Sequence, residues 1–332
     1  IECIIICLGA PGVVPQPPTG TNAFMAFQGS GDTSTGQVYI TVDNGLTWTG
    51  PTNVGDGGVI STAYNGTTAL MMTRNFTNAS TRGLFSSVSP FTTWTHAGAV
   101  SATVPNTQRN VPGLNVDTVT GTFMLGNEGN PSYSWTSTDG LIWTQGGDID
   151  VAFNDPQAFV SVGSGEWWAF NFAGGTKYIR KTIDGGVTWA DAASGGKPGP
   201  YIVIDNTVVQ NASSKFIIGG QSDIWSFNEG DSIPIVQSTV PNSIQTLAYN
   251  DDKSIIIYGD NPNIRRSTDG GLTWSTISFA GSFKVAYSQA NGFMAIDSAS
   301  SNVRTSPDGL TWTSTTPFPG GSNVVSVIAV EI

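Results

Sequence analysis

The sequence predicts an all-β chain of seven repeated four-stranded antiparallel units, closed on itself by its last strand. Three observations predict it. A turn motif recurs along the 332 residues at a nearly constant interval. Each interval holds short β-branched or aromatic runs divided by Gly, Asn and Asp. The strand count is one short before the first motif and one over after the last.

The motif reads TVDNGLTW (Thr41–Trp48), STDGLIW (Ser137–Trp143), TIDGGVTW (Thr182–Trp189), STDGGLTW (Ser267–Trp274) and SPDGLTW (Ser306–Trp312), with a degenerate copy, SSVSPFTTW (Ser86–Trp94). Its tryptophans, at 48, 94, 143, 189, 274 and 312, are separated by 46, 49, 46, 85 and 38 residues. The gap of 85 spans two periods, so one unit has lost its Trp, and DIWSFNEGDSIPIV (Asp223–Val236) supplies a strand, a turn and a strand in that place. In one clear unit SIQTLAYN, KSIIIYGD, NIRRSTDG and LTWSTIS make the four strands of a meander. Only FMAFQG and QVYITVD precede the first motif, while NVVSVIAVEI (Asn323–Ile332) follows the last. Set beside the first unit, that final strand leaves no open sheet edge. Four strands repeated every 40–50 residues or so are the signature of a β-propeller, here one of seven blades.

Composition agrees. Charged residues are 11% and glycines number 41, which opposes a helix-rich cytosolic enzyme and suits short strands with tight turns. Ten tryptophans oppose disorder. A net charge of −11 argues against a nucleic-acid partner, which needs a basic stripe to displace counterions. No stretch approaches the roughly 18 apolar residues of a membrane span, so no membrane insertion is expected. The opening IECIIICLGAPG is apolar but short, carries Glu2 and lacks a basic flank, so it is neither a span nor a complete signal peptide. With the Pro-rich APGVVPQPPTG it makes residues 1–20 an arm ahead of a propeller over residues 21–332. Cys3 and Cys7 are the only cysteines. In a strand they lie ~13 Å apart, too far to bridge one another, so they are free thiols or pair between subunits.

The motif itself is turn chemistry. Its Asp accepts hydrogen bonds from the turn's own amides, its Ser or Thr does so more weakly, and its Gly takes a positive φ. Its Trp starts the returning strand and folds over the turn. The shortened copies drop one loop residue yet keep Asp-Gly and Trp, which a structural turn tolerates better than an active site.

The pattern Ser/Thr-x-Asp-x-Gly-x-Thr-Trp resembles the Asp-box, the repeat of sialidase-type β-propellers, cellulase-like xyloglucanases, sortilin-type receptors and a photosystem II assembly factor. The resemblance implies that the box closes the outer hairpin between a blade's third and fourth strands, away from the ligand-binding face. Asp43, Gly45, Trp48, Asp139, Gly140, Trp143, Asp184, Gly186, Trp189, Asp269, Gly271, Trp274, Asp308, Gly309 and Trp312 are then structural. The sialidase members also carry an arginine cluster, a Tyr–Glu nucleophile pair and a Phe/Tyr-Arg-Ile-Pro stretch, and the stretch has no match here. Arg180, Arg266 and Arg304 lie in third strands, on outer parts of their blades, and Arg74, Arg82, Arg109 and Arg265 show no converging pattern.

Other glycosidases need two carboxylates across a sugar. Only Glu2, Glu128, Glu166, Glu229 and Glu331 exist, with Asp117, Asp155, Asp205 and Asp251 on connecting loops, and no spacing selects a pair. Glu128 and Glu166 read as solvated loop acids. The single His96 follows Trp94 on an outer strand and reads as a surface residue. Trp167 and Trp168 face opposite sides of a strand and read as core, with a sugar-stacking platform as the alternative. No Walker, HExxH, GxSxG or EF-hand pattern occurs, and YNDDKS (Tyr249–Ser254) resembles a calcium loop only in composition. No cofactor or metal is expected. Four sequons, at Asn65, Asn75, Asn78 and Asn211, arise by chance in so Asn- and Thr-rich a chain.

The expected function is a non-enzymatic structural or binding module of an extracellular assembly. It fits a phage virion appendage or a receptor-binding protein recognising a cell-surface glycan. Residues 1–20 would tether it to other subunits by adding a strand to a neighbour's sheet edge. A glycoside hydrolase with a divergent site is the competing expectation. An intracellular assembly factor would call for a basic patch that the sequence does not offer.

Overall fold

The computed structural model describes residues 20–29, 34–74, 83–97, 114–117, 119–126, 132–149, 156–171, 178–191, 208–210, 215–219, 223–228, 235–239, 244, 246–252 and 254–332, with backbone alone for the strands between 208 and 239. Every described element is a β-strand, and each sheet has four strands and is antiparallel throughout.

The first sheet joins the two ends of the propeller region. β1 (Asn22–Gln28) pairs with β2 (Thr35–Thr41), which pairs with β3 (Thr49–Asp56), while β28 (Val324–Glu331) takes the free edge of β1. The register runs from Asn22 opposite Glu331 to Gln28 opposite Val324. The main-chain bonds Thr21 N–H to Ile332 O and Ile332 N–H to Thr21 O, both 2.9 Å, extend the pairing past the strand ends.

The remaining strands pair in chain order. β4 (Gly58–Tyr64), β5 (Thr68–Arg74), β6 (Gly83–Val88) and β7 (Thr95–His96) form the next sheet, and β8 (Asn115–Asp117), β9 (Thr122–Gly126), β10 (Tyr133–Ser137) and β11 (Thr144–Asp148) the one after. β12 (Pro156–Gly163), β13 (Glu166–Asn171), β14 (Tyr178–Thr182) and β15 (Ala190–Asp191) follow. The unit without a Trp motif contains β16 (Val208–Gln210), β17 (Lys215–Gly219), β18 (Asp223–Asn228) and β19 (Ile235–Thr239), as the DIWSFNEGDSIPIV reading expects. β20 (Thr246–Tyr249), β21 (Ile256–Gly259), β22 (Ile264–Ser267) and β23 (Ser275–Ile277) precede β24 (Phe283–Ser288), β25 (Gly292–Asp297), β26 (Val303–Ser306) and β27 (Thr313–Ser314).

The core lies between neighbouring sheets. Second strands such as β1 (AFMAF, Ala23–Phe27), β25 and β13 are buried on both faces and so carry continuous apolar runs. One apolar cluster joins Ala23, Met25 and Phe27 of β1 to Ala69, Met71, Phe85 and Phe91. Others join the β4–β7 sheet to the β8–β11 sheet through Leu70, Leu84, Phe123 and Trp135, and the β24–β27 sheet to the first through Met294, Ile296, Phe24 and Tyr39. At the first strands, hydroxyls cross from sheet to sheet: Thr62 Oγ1 lies 2.7 Å from Ser326 Oγ, and Val285 N–H donates to Thr246 Oγ1 at 2.8 Å.

Antiparallel pairing puts the loop between a sheet's first and second strands at the same end as the loop between its third and fourth. The motifs therefore share an end with Tyr64–Thr68, Asp117–Thr122, Gly163–Glu166, Tyr249–Ile256 and Ser288–Gly292. Bonds between sheets tie this end together. Asn65 Nδ2 donates to Gly121 O and Thr138 O, Gly165 N–H donates to Asp117 Oδ2, and Asn44 Nδ2 donates to Asn291 O. With its Oδ1 accepting from the Thr67 and Thr68 amides as well, Asn65 is a turn residue.

Candidate functional site

The motif turns are built alike. In the turn at Asp269, Ser267 Oγ donates to Asp269 Oδ1 (2.8 Å) and accepts from Gly271 N–H (2.9 Å), while Thr273 N–H donates to Asp269 Oδ1 (2.9 Å). The Trp274 indole N–H closes the loop on Gly271 O at 3.0 Å. The turns at Asp43 and Asp184 repeat the hydroxyl and amide bonds with Thr41, Thr47, Thr182 and Thr188, while the Trp189 indole N–H donates to Ser134 Oγ of the preceding sheet. The short turns at Asp139 and Asp308 take two successive amides, Leu141 with Ile142 and Leu310 with Thr311, on one carboxylate oxygen. Trp143 and Trp312 again donate to Gly140 O and Gly309 O.

These bonds set the electrostatics. Hydroxyl bonds from Thr182 and then Thr188, joined by the Thr188 amide, lower the Asp184 carboxyl to about 2. Amide bonds from Thr311 and Leu310 lower Asp308 likewise. At Asp43, Asp139 and Asp269 partial burial is the largest single influence and pushes upward, yet the turn bonds together outweigh it and the carboxyls are lowered. Groups held ionised by their own turn are poor proton donors.

The motifs at Asp139, Asp184 and Asp308 also do something their sequence does not announce: they dock on the preceding sheet. A Cβ on Gly140 would sit 2.1 Å from Leu70 Cδ2, one on Gly309 2.5 Å from Ile257 Cδ1 and one on Gly186 2.9 Å from Met124 Cε. All three neighbours belong to the sheet before. Gly186 O accepts from Gly147 N–H (2.8 Å) and Ser134 Oγ (2.9 Å) of that sheet. Arg266 Nε and Ser86 Oγ each reach forward to the main-chain oxygen of the next motif's Asp, Asp308 and Asp139. The glycine is thus required twice, by its positive φ of 68 to 93° and by the close approach.

A cavity of about 450 Å³ lies along the first strands, lined by Thr62, Thr246, Tyr249, Asp251, Tyr287, Ser326 and the aliphatic residues between them. Tyr249, Asp251 and Tyr287 line it at the motif end, where Tyr287 Oη donates to Asp251 Oδ2 at 3.2 Å. Sequence reasoning named only Tyr249 and Asp251 among these. The Thr and Ser positions inside otherwise aliphatic first strands were the available signal. Lys284, on β24 but outside this lining, is drawn down to about 8 by burial.

The other sequence candidates do not converge on the cavity. Glu166 accepts from Trp168 Nε1 at 3.1 Å and faces Lys181 Nζ at 3.8 Å. Trp167 and Trp168 are both 1% exposed, which makes them core and removes the sugar-platform alternative. Asp117 is fully buried and caps the Val119 and Thr120 amides. His96 is half-buried against the Phe85 ring, 4.9 Å between centroids. Arg180 pairs with Asp191, Arg265 with buried Asp260, and Arg304 stacks on Phe279. Cys3, Cys7, Glu2, Arg82, Arg109, Glu128, Asp155, Asp205, Glu229, Asn75, Asn78 and Asn211 lie outside the described residues. Among the described residues no group of three or more His, Cys, Asp or Glu is placed to hold a metal ion, and no helix is long and apolar enough to cross a membrane.

No protein-family model matches the chain, and no curated protein matches it. Solved structures do. A functionally unknown protein from Desulfotomaculum acetoxidans aligns with a TM-score of 0.61 at 9% identity, over 93% of this chain and 99% of that one. A GH74 xyloglucanase from Xanthomonas campestris aligns with a TM-score of 0.56 at 13% identity, over 94% of this chain. The alignment spans 55% of the xyloglucanase. YCF48, bound to D1 peptide, aligns with a TM-score of 0.55 at 14% identity, over 78% and 81% of the two chains. At these identities the likeness is one of fold, and with the four-stranded sheets it gives this chain a β-propeller fold.

Proposed function

We infer that this chain is a seven-bladed Asp-box propeller acting as a non-enzymatic structural or binding module of an extracellular assembly. The role that fits best is a phage virion appendage or a receptor-binding protein that engages a cell-surface glycan, tethered to other subunits by residues 1–20. Seven four-stranded sheets and the seating of β28 on β1 support the blade count and a closed ring. End-on class averages of purified protein test both, and six or eight blades would refute the count.

The observation that carries the functional reading is the commitment of all five motif carboxylates to their own turns. The motif carboxylates are thereby architecture, and ligand recognition falls to loops that are not repeated. Glu166, engaged by Trp168 and Lys181, supports the same division. The bonds between Thr21 and Ile332 tie down the start of β1, which suits a tether.

A glycan array run beside hydrolysis assays tests the reading. Binding without turnover is expected. Turnover that disappears in Glu128→Ala or Glu166→Ala would replace it with the glycoside hydrolase. Deleting residues 1–20 is expected to abolish incorporation into the parent particle, and normal incorporation would remove the tether.

A further inference from the structure

Ten large aliphatic side chains are more than a third exposed among the described residues, and all ten lie at the motif end of their sheets. Eight are motif residues: Val42, Leu46, Leu141, Ile142, Ile183, Val187, Leu272 and Leu310. The other two, Val88 and Val119, end β6 and lie in the β8–β9 loop. The described loops at the opposite end, such as Ser298–Asn302 and Thr315–Asn323, contribute none. Turn chemistry does not ask for these residues, since the position after the motif glycine takes part only through its amide. A polar residue would serve the turn equally, yet that position is Leu46, Leu141, Val187, Leu272 and Leu310 in the five copies.

We propose that the motif-bearing face is a self-association surface whose occupant is the same face of a second copy of this chain. The pattern of the tips singles out that occupant. Among the described residues they recur at corresponding turns of five sheets, so they match a partner surface with the same spacing, and a copy turned over about a two-fold axis in the plane of the face supplies it. Eight side chains at 38% to 75% exposure offer several hundred square ångströms per copy, comparable with the roughly 800 Å² that each partner gives to a standard interface. The ionised motif carboxylates on both copies repel across such a face. Association is therefore apolar in origin and strengthens as salt screens that repulsion. An electrostatically led partnership would do the reverse. The inference does not depend on which assembly the protein serves.

Sedimentation velocity of the full-length chain under reducing conditions, over a concentration series at ~0.05 and ~0.5 M salt, tests it. A monomer–dimer equilibrium that tightens with salt is expected. The triple variant Leu46→Ser, Ile183→Ser, Leu272→Ser is expected to weaken it by at least about tenfold, since each tip is buried twice in the dimer. Thr316→Asp, at the opposite end, is expected to leave it unchanged. Because all four positions are exposed, unaltered near-ultraviolet circular dichroism from the ten tryptophans separates lost association from lost fold. A monomer under every condition, a dimer indifferent to the triple variant, or a dimer loosened by salt would each overturn the proposal.

Discussion

The turn at Asp269 and the turn at Phe91 close corresponding hairpins by opposite means. Three residues before the Trp, every motif has glycine at positive φ, and the degenerate copy has Phe91 at a φ of 60°. Where Asp269 gathers its amides, the degenerate copy has Ser89, and Ser87 Oγ turns instead to Thr93 O at 2.7 Å. The space that a motif glycine yields to Leu70, Met124 or Ile257 of the preceding sheet is here supplied from the other side. Phe91 is fully buried among Ala23, Met25 and Phe27 of β1, and its ring meets Tyr64 edge-on at 6.0 Å. Trp94 stays, half-buried and edge-on to Phe27, its indole N–H without an acceptor, as is that of Trp48 in the first motif. What the Phe91 turn shares with the motif turns at Asp139, Asp184 and Asp308 is the joint to the neighbouring sheet. The carboxylate is one way to stiffen it, and an aromatic plug is another.

Four measurements break or sharpen this contrast. Removing the plug is expected to cost most: Phe91→Ala leaves a cavity and loses about 3–5 kcal/mol in denaturant unfolding. A loss below about 1 kcal/mol would show that the ring does not hold the joint. Next comes overfilling a motif joint. In Gly146→Ala the new Cβ falls 2.3 Å from the main-chain Gly186 O, which cannot swing aside, and about 1–3 kcal/mol is expected. Asp269→Ala removes exposed turn bonds while leaving Gly271 and the Trp274 indole bond in place, so screening by water holds its cost to about 1 kcal/mol. Its rank below Phe91→Ala is the test.

The smallest effect is in acid. The Asp184 carboxyl is lowered in the fold to about 2 from an ordinary 3.8. Its stabilisation is therefore fully present above the ordinary value and is lost as pH falls through about 2. Asp184→Asn is expected to flatten part of the stability slope between those values. The Phe91 turn, with no carboxylate, contributes nothing to that slope. An unchanged slope in the variant would sever the turn bonds from acid sensitivity.

Much of this was open to reading in the chain. Trp spacing gave the repeat, and the displaced strand at Asn323–Ile332 found its partner on β1 because a missing and a surplus strand are visible in a linear count. The turn role of Asp43, Asp139, Asp184, Asp269 and Asp308 followed from local chemistry, which needs no knowledge of neighbours. What depends on neighbours was hidden. Nothing near Gly140 in sequence says that Leu70 occupies its Cβ position, and nothing in SSVSPFTTW says that its Phe takes the place of a glycine. The cavity at Thr62, Thr246, Asp251, Tyr287 and Ser326 draws on four strands spread over more than 260 residues. Trp167 and Trp168 were ambiguous for the same reason, since the faces of β13 are set by the sheets on either side.

The paired bonds between Thr21 and Ile332 have a mechanical meaning. Residue 20 leads directly into β1, a strand held along both edges, by β28 on one side and β2 on the other. A pull applied at residue 20 along β1 is resisted by both ladders at once, in shear, and no single hydrogen bond bears it first. Antiparallel ladders loaded end to end yield far less readily than ladders peeled from one corner. A load applied at residue 20 would thus enter at a strand paired along both edges and be shared by the first and third strands of the sheet.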